Sequence, residues 1–185
     1  NKQYKEAEKV LNDIHILPFE GARDGRLLYQ ETKLMLAAEA LNSDRLKVAS
    51  KKIEEARLWP RNLGVGKPYD EVIDSRIEDW LSAMVYMKLG NLEMKKKYLE
   101  KVAFTSLNQN SPNTLLQCVA YYQLGEFRKS EELFNHWIES QKNENMKYWG
   151  KAFYQENKEK SYPFDYGRTI KIIGLISGTE DTRLF

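Results

Sequence analysis

The stretch Tyr86-Met87-Lys88-Leu89-Gly90-Asn91-Leu92 aligns with Tyr121-Tyr122-Gln123-Leu124-Gly125-Glu126-Phe127 at a spacing of 35 residues. Tyrosine, leucine, glycine and a closing apolar residue fall in register, and such internal registration marks a chain assembled from repeated supersecondary units. The residues before each glycine have the spacing of one amphipathic helix and those after it start another. The unit is therefore a helical hairpin, with glycine in the turn where positive φ carries no steric cost.

Working outward, one hairpin is expected from about Asp70 to Leu89 and from Leu92 to Phe104. The next has Ser111 as a cap, a helix from Pro112 to about Leu124, and a second from Phe127 to about Lys142. The second helices carry apolar anchors at three- and four-residue steps: Leu92, Leu99 and Val102 in one, Phe127, Phe134 and Trp137 in the other. The same pattern recurs upstream as Leu46, Ala49, Ile53 and Ala56 before Pro60, and as Tyr4, Ala7, Leu11 and Ile14 before Pro18. Leu27 to Leu41 supplies the first helix for the Leu46 copy, whereas the Tyr4 copy lacks one. The chain thus starts halfway through a hairpin and without methionine, as expected of a piece of a longer protein.

A small residue and a tyrosine in the first helix, glycine in the turn, a small residue in the second helix and a proline at the exit resemble the tetratricopeptide repeat. The small residues are Ala37, Ala83 and Cys118 on first helices and Ala7, Ala49 and Ser130 on second helices. Lys95 and the glycine-less turn Ser43-Asp44 depart from the pattern. The resemblance implies an all-α, right-handed superhelix of stacked antiparallel hairpins forming a single domain over 1–185. Its parts are a lone second helix at 1–18, repeats at 26–60, 70–105 and 111–142, and a degenerate repeat or cap at 143–185. In that last part Asn145 to Lys158 and Arg168 to Ile176 read as helices, separated by the aromatic turn Tyr162-Pro163-Phe164-Asp165-Tyr166-Gly167. The longer inter-repeat spacings place insertions at Pro18 to Gly25 and Pro60 to Asp70, both on one side of the stack. The Phe-Glu-Gly-Ala-Arg and Trp-Pro-Arg-Asn-Leu-Gly-Val-Gly-Lys-Pro segments in these loops look like the repeat region behind β-sandwich, sugar-mutarotase-like domains of large proteins from gut-type bacteria.

Composition narrows the function classes. Lys+Arg 29 against Asp+Glu 27, interspersed, gives a net charge of +2 and no basic footprint for nucleic acid. Cys118 is the sole cysteine, which excludes disulfides within the chain and multi-thiolate metal sites. The longest apolar run, Ile172-Ile173-Gly174-Leu175-Ile176, is far short of the ~20 residues needed to cross a bilayer, so no membrane partner is expected.

The individual motifs read as structure. Gly64-Val65-Gly66-Lys67 has the look of a phosphate-binding loop, but Arg61 stands where its leading glycine belongs and Pro68 replaces the hydroxyl residue. His15 and His136 sit in different repeats with no metal-ligand spacing around them, and Cys118 occupies a small packing position. No catalytic residue, metal or cofactor is assigned. The face that carries information is the inner side of the first helices. The geometry implied by the resemblance puts Leu34 and Ala38, Trp80, Met84 and Met87, and Leu115, Val119 and Tyr122 on a concave groove. None of the eight is basic, which argues against a clamp for an acidic chaperone tail. The expected function is a non-catalytic scaffold whose apolar groove takes a peptide, a protein or a neighbouring domain, with the chain's own Tyr148 to Tyr166 or Ile170 to Phe185 as competing occupants. A second expectation, from the loop resemblance and from Trp59, Tyr69, Trp149 and Tyr162, is a helical accessory region of a carbohydrate-active enzyme or a glycan-binding protein.

Overall fold

The computed structural model describes residues 3–18, 23–158 and 165–178, the last four in backbone only. Among these residues the chain is all-helical and has no strand. The α-helices are α1 (Tyr4–Asp13), α2 (Asp24–Asn42), α3 (Leu46–Ala56), α4 (Arg76–Lys88), α5 (Leu92–Ala103), α6 (Thr114–Gln123), α7 (Phe127–Ser140), α8 (Glu144–Asn157) and α9 (Tyr166–Gly178). The chain divides into two compact units, Asn1–Ile73 with α1 to α3 and Asp74–Phe185 with α4 to α9.

Three turns are built identically. Each first helix ends on a residue with positive φ: Asp44 at 53°, Gly90 at 72° and Gly125 at 83°. The next N–H reaches back to the carbonyl five residues earlier: Arg45 to Ala40 at 2.8 Å, Asn91 to Tyr86 at 2.9 Å and Glu126 to Tyr121 at 3.0 Å. Asp44, Gly90 and Gly125 themselves donate to Leu41, Met87 and Tyr122. This paired bonding satisfies carbonyls that a helix end leaves open. Aspartate fills the position in the first turn because it tolerates left-handed backbone better than most side chains. The pairs α2/α3, α4/α5 and α6/α7 are thus three copies of one hairpin.

In unit 1, α2 lies between α1 and α3. The inserted loop folds back on α1: Asn62 Nδ2 donates to Leu11 O at 2.9 Å and Ile14 O at 2.8 Å, and its carbonyl accepts from Ile16 N–H at 2.8 Å. It thereby caps the helix C-terminus. Leu63 packs with Leu11, Tyr29 and Ile16 in a local core. Gly64 is required there, since a Cβ on its left-handed backbone would stand 2.7 Å from Ile16 O. The glycine-rich loop thus has a packing role, and its Lys67 pairs with Asp70 at 2.6 Å. Part of the other insertion, 19–22, lies outside the described residues.

In unit 2, α4 pairs with α5, α5 with α6, α6 with α7, and α8 packs on both α6 and α7. The first helices start later than their sequence pattern suggests. Asp70–Val72 is a short 3-10 turn, and α4 begins at Arg76 because Asp74 Oδ1 accepts the Arg76 N–H at 3.1 Å. Likewise Ser111 Oγ accepts from Asn113 N–H and the regular helix starts at Thr114. Two expected anchors, Leu92 and Phe127, are exposed, while Leu99, Val102 and Trp137 are buried. Each exposed anchor opens its helix beside the turn; Phe127 turns its ring edge-on to Tyr122 at 4.7 Å.

Candidate functional site

Of the eight residues expected to line a groove, Leu34 and Ala38 lie on α2, Trp80, Met84 and Met87 on α4, and Leu115, Val119 and Tyr122 on α6. Leu34 and Ala38 of α2 are buried in unit 1. In unit 2, Trp80, Met84, Leu115 and Val119 are also buried, at 1% exposure or less, whereas Met87 and Tyr122 are half-buried. Within unit 2, four of these six side chains are therefore covered by the chain itself. Tyr166, the first residue of α9, lays its ring against Trp80 with centroids 6.0 Å apart and planes at 57°. Tyr166, Ile170 and Ile173, spaced four and three residues apart on α9, are all buried. At the open end Tyr122 is flanked by Phe127 and by the Lys158 ammonium, 5.9 Å from its ring centroid.

A polar network sets the start of this face. The Arg76 guanidinium is buried and takes both oxygens of Asp74, through Nε at 2.9 Å and Nη2 at 2.6 Å. It also donates to Thr114 Oγ1 at 3.2 Å and Asn108 O at 3.2 Å, and Asn113 Nδ2 donates to Asp74 Oδ2 at 2.9 Å. Burial alone would push the Asp74 carboxyl up, but hydrogen bonds and charge from Arg76 outweigh it and hold Asp74 below the usual value. This fork ties the start of α4 to the start of α6. A buried ion pair of this kind fixes geometry more than it adds stability.

The far side of the α6/α7 hairpin is locked to α8. Ser130 Oγ donates to Cys118 O at 2.6 Å and lies 2.7 Å from Tyr154 OH. Phe134 stacks on Tyr154 at 4.1 Å, and Gly150 lets α8 approach Trp137 so closely that a Cβ there would fall 2.2 Å from the indole. Burial pushes the Cys118 thiol up to about 12, a level at which it carries no thiolate near neutral pH. Lys95, in the small-residue position of α5, is half-buried and its ammonium is pushed down by burial.

Comparison with protein-family models, curated proteins and solved structures finds no match. The chemistry must be read from the residues. Among the described residues no group of three or more His, Cys, Asp or Glu is arranged to hold a metal ion. No helix among them is long and apolar enough to cross a membrane. His15 Nδ1 lies 3.1 Å from Asp13 O at the end of α1. His136 borders a shallow cleft of about 270 Å³ with Gln117, Tyr121 and Glu132. Of the aromatic residues tied to glycan stacking, Trp59 is covered by the Arg26 guanidinium at 4.7 Å and Tyr69 is exposed. Trp149 is partly exposed beside Tyr148, and Tyr162 lies outside the described residues.

Three features of the structure carry no signal in the sequence pattern. The Arg76 fork joins residues about 40 apart with no periodic signal. Asn62 acts through one side chain in a loop. The position of α9 over Trp80 depends on tertiary packing, and the helix opens at Tyr166, inside the stretch expected to be an aromatic turn, rather than at Arg168.

Proposed function

We propose that this chain is a non-catalytic helical-repeat scaffold of tetratricopeptide-like hairpins, and that the apolar face of α4 and α6 is a seat for an amphipathic helix. The observation that carries the reading is that this face already holds one: Tyr166 of α9 sits on Trp80. Helix-in-groove recognition uses apolar anchors at such three- and four-residue steps. The partner is a protein, a peptide or a neighbouring domain of a longer polypeptide. It meets the groove first at its half-buried rim, Met87 and Tyr122, where an aromatic anchor supplies much of the attainable affinity.

Selection of a library of amphipathic helical peptides against the whole chain tests the proposal. Selected peptides should converge on apolar residues at helical spacing and lose roughly ten-fold or more in affinity against a Met87→Ser, Tyr122→Ala chain. Because both positions are only half-buried, the double variant should keep its helicity. Peptides that bind it as well as they bind the unaltered chain would place recognition elsewhere and overturn the reading.

A further inference from the structure

Building on the scaffold reading, we infer that α9 is a displaceable occupant of the groove, holding it closed until a helix supplied in trans takes its place. The ligand class follows from what α9 itself presents: an aromatic residue followed by β-branched aliphatic residues four and seven positions later, as in Tyr166, Ile170 and Ile173. Residues so spaced lie on one stripe of a helix.

The contrast between α8 and α9 supports this assignment. The α8 helix is interlocked: Gly150 has no room for a methyl group against Trp137, and Ser130, Phe134 and Tyr154 join α7 to it by hydrogen bonding and stacking. Among the described residues, the α9 backbone runs close along α8 and reaches α4 through the Tyr166 ring. An ion pair from Arg168 to Glu156, 3.4 Å long, joins α9 to α8 at a solvent-facing edge, where such pairs hold little. The helix also carries its own cap, because Asp165 Oδ1 accepts from Gly167 N–H at 2.9 Å and Arg168 N–H at 3.2 Å. Its N-terminus therefore stays satisfied whether docked or released.

The fit of α9 is also incomplete. Trp80 Nε1 is buried and meets no acceptor, and a buried donor without a partner is costly. An incoming helix with a carboxamide or carboxylate beside its aromatic anchor would supply that acceptor. Such a ligand has an advantage over α9 at the point where the two compete. Since α9 is covalently attached, it has a high effective concentration, and trans affinity scales with the fraction of molecules in which it is undocked.

The test uses the whole chain and a labelled synthetic peptide with the sequence of residues 165–178. A chain carrying Ile170→Ala should bind the peptide about ten-fold more tightly than the unaltered chain, because its own helix is undocked more often. A peptide carrying Tyr166→Ala should bind both chains at least about ten-fold more weakly. Equal affinities for the two chains, or peptide binding indifferent to Tyr166, would overturn the inference. Should the Ile170→Ala chain fail to fold, amide hydrogen exchange on the unaltered chain decides: α9 amides should exchange well before those of α4 and α6. If α9 is as protected as α4, displacement is refuted and the scaffold reading still stands on the rim. Early exchange of α9 with no peptide binding overturns both.

Discussion

Gly150 shows how much one missing methyl group can decide. The α8 helix closes onto Trp137 at a separation that no side chain allows, with ring atoms 2.2 and 2.8 Å from the position of a Cβ. We predict that Gly150→Ala destabilises unit 2 by about 1–3 kcal/mol, the range for forcing volume into a packed site, even though alanine is the better helix former. Gly174→Ala on α9 meets nothing within 4 Å and should stabilise by up to about 1 kcal/mol. Denaturant titration of the two variants checks the contrast; equal effects would mean that α8 can back away from Trp137. The turn glycines Gly90 and Gly125 were legible from sequence because positive φ leaves a compositional mark. Asp44 shows the limit of that mark, since the same backbone is held there by a residue with no glycine signature.

At the scale of the helix, α1 is held by charge as well as by Leu11. Lys33 and Lys52 both bond Glu8 and Glu55, with Lys52 at 2.7 Å from Glu8 and both lysines at 2.8 Å from Glu55, so α1, α2 and α3 share one four-membered cluster. Lys33 is buried and its ammonium also lies 5.1 Å from the Tyr29 ring centroid. Burial pushes the two carboxyls up, but hydrogen bonds from both lysines outweigh it and leave them below their ordinary 4.5. Burial likewise pushes the lysines down, and the bonds to Glu55 and Glu8 leave them above 10.5. Depressed carboxyls stabilise fully above 4.5 and lose their contribution as pH falls through their lower folded values. Raised lysines stabilise fully below 10.5 and lose theirs as pH climbs through their higher folded values. The docking of α1 should therefore be flat across the neutral range and weaken at both extremes, which amide exchange of α1 against pH would show. Lys33→Met should cost unit 1 roughly 3 kcal/mol at pH 7, because it leaves two part-buried carboxylates sharing one cation. A loss below about 0.5 kcal/mol would mean that solvent screens the cluster. No sequence pattern announces this cluster: Glu8 to Lys52 spans 44 residues, and each member alone reads as a solvated helix face. The helices themselves were legible, since α3 and α7 follow the apolar spacing almost to the residue.

At the scale of the molecule, the division into Asn1–Ile73 and Asp74–Phe185 sets how stability is distributed. Each unit has its own buried residues and its own charged fastening, the Lys33 cluster in one and the Arg76 fork in the other. A chain of residues 74–185 produced alone should keep its helicity and melt in one cooperative transition, measured by circular dichroism. Non-cooperative melting would show that unit 2 needs unit 1 to fold. Repeat spacing made the hairpins legible because neighbouring repeats impose the same local packing on each copy. It named the tail among the possible occupants of the apolar side of the first helices but could not place Tyr166 on Trp80, because Tyr166 read as part of a turn and only tertiary contact sets its ring there.

The cap on α1 carries a consequence for the order of folding. Asn62 reaches back 51 residues to Leu11, so the C-terminus of α1 has no side-chain cap until that part of the chain has been made. At a synthesis rate of about 5–20 residues per second, α1 waits some seconds after it emerges, while the α2/α3 hairpin closes through local contacts. Of the three helices of unit 1, α1 is thus made first and secured last.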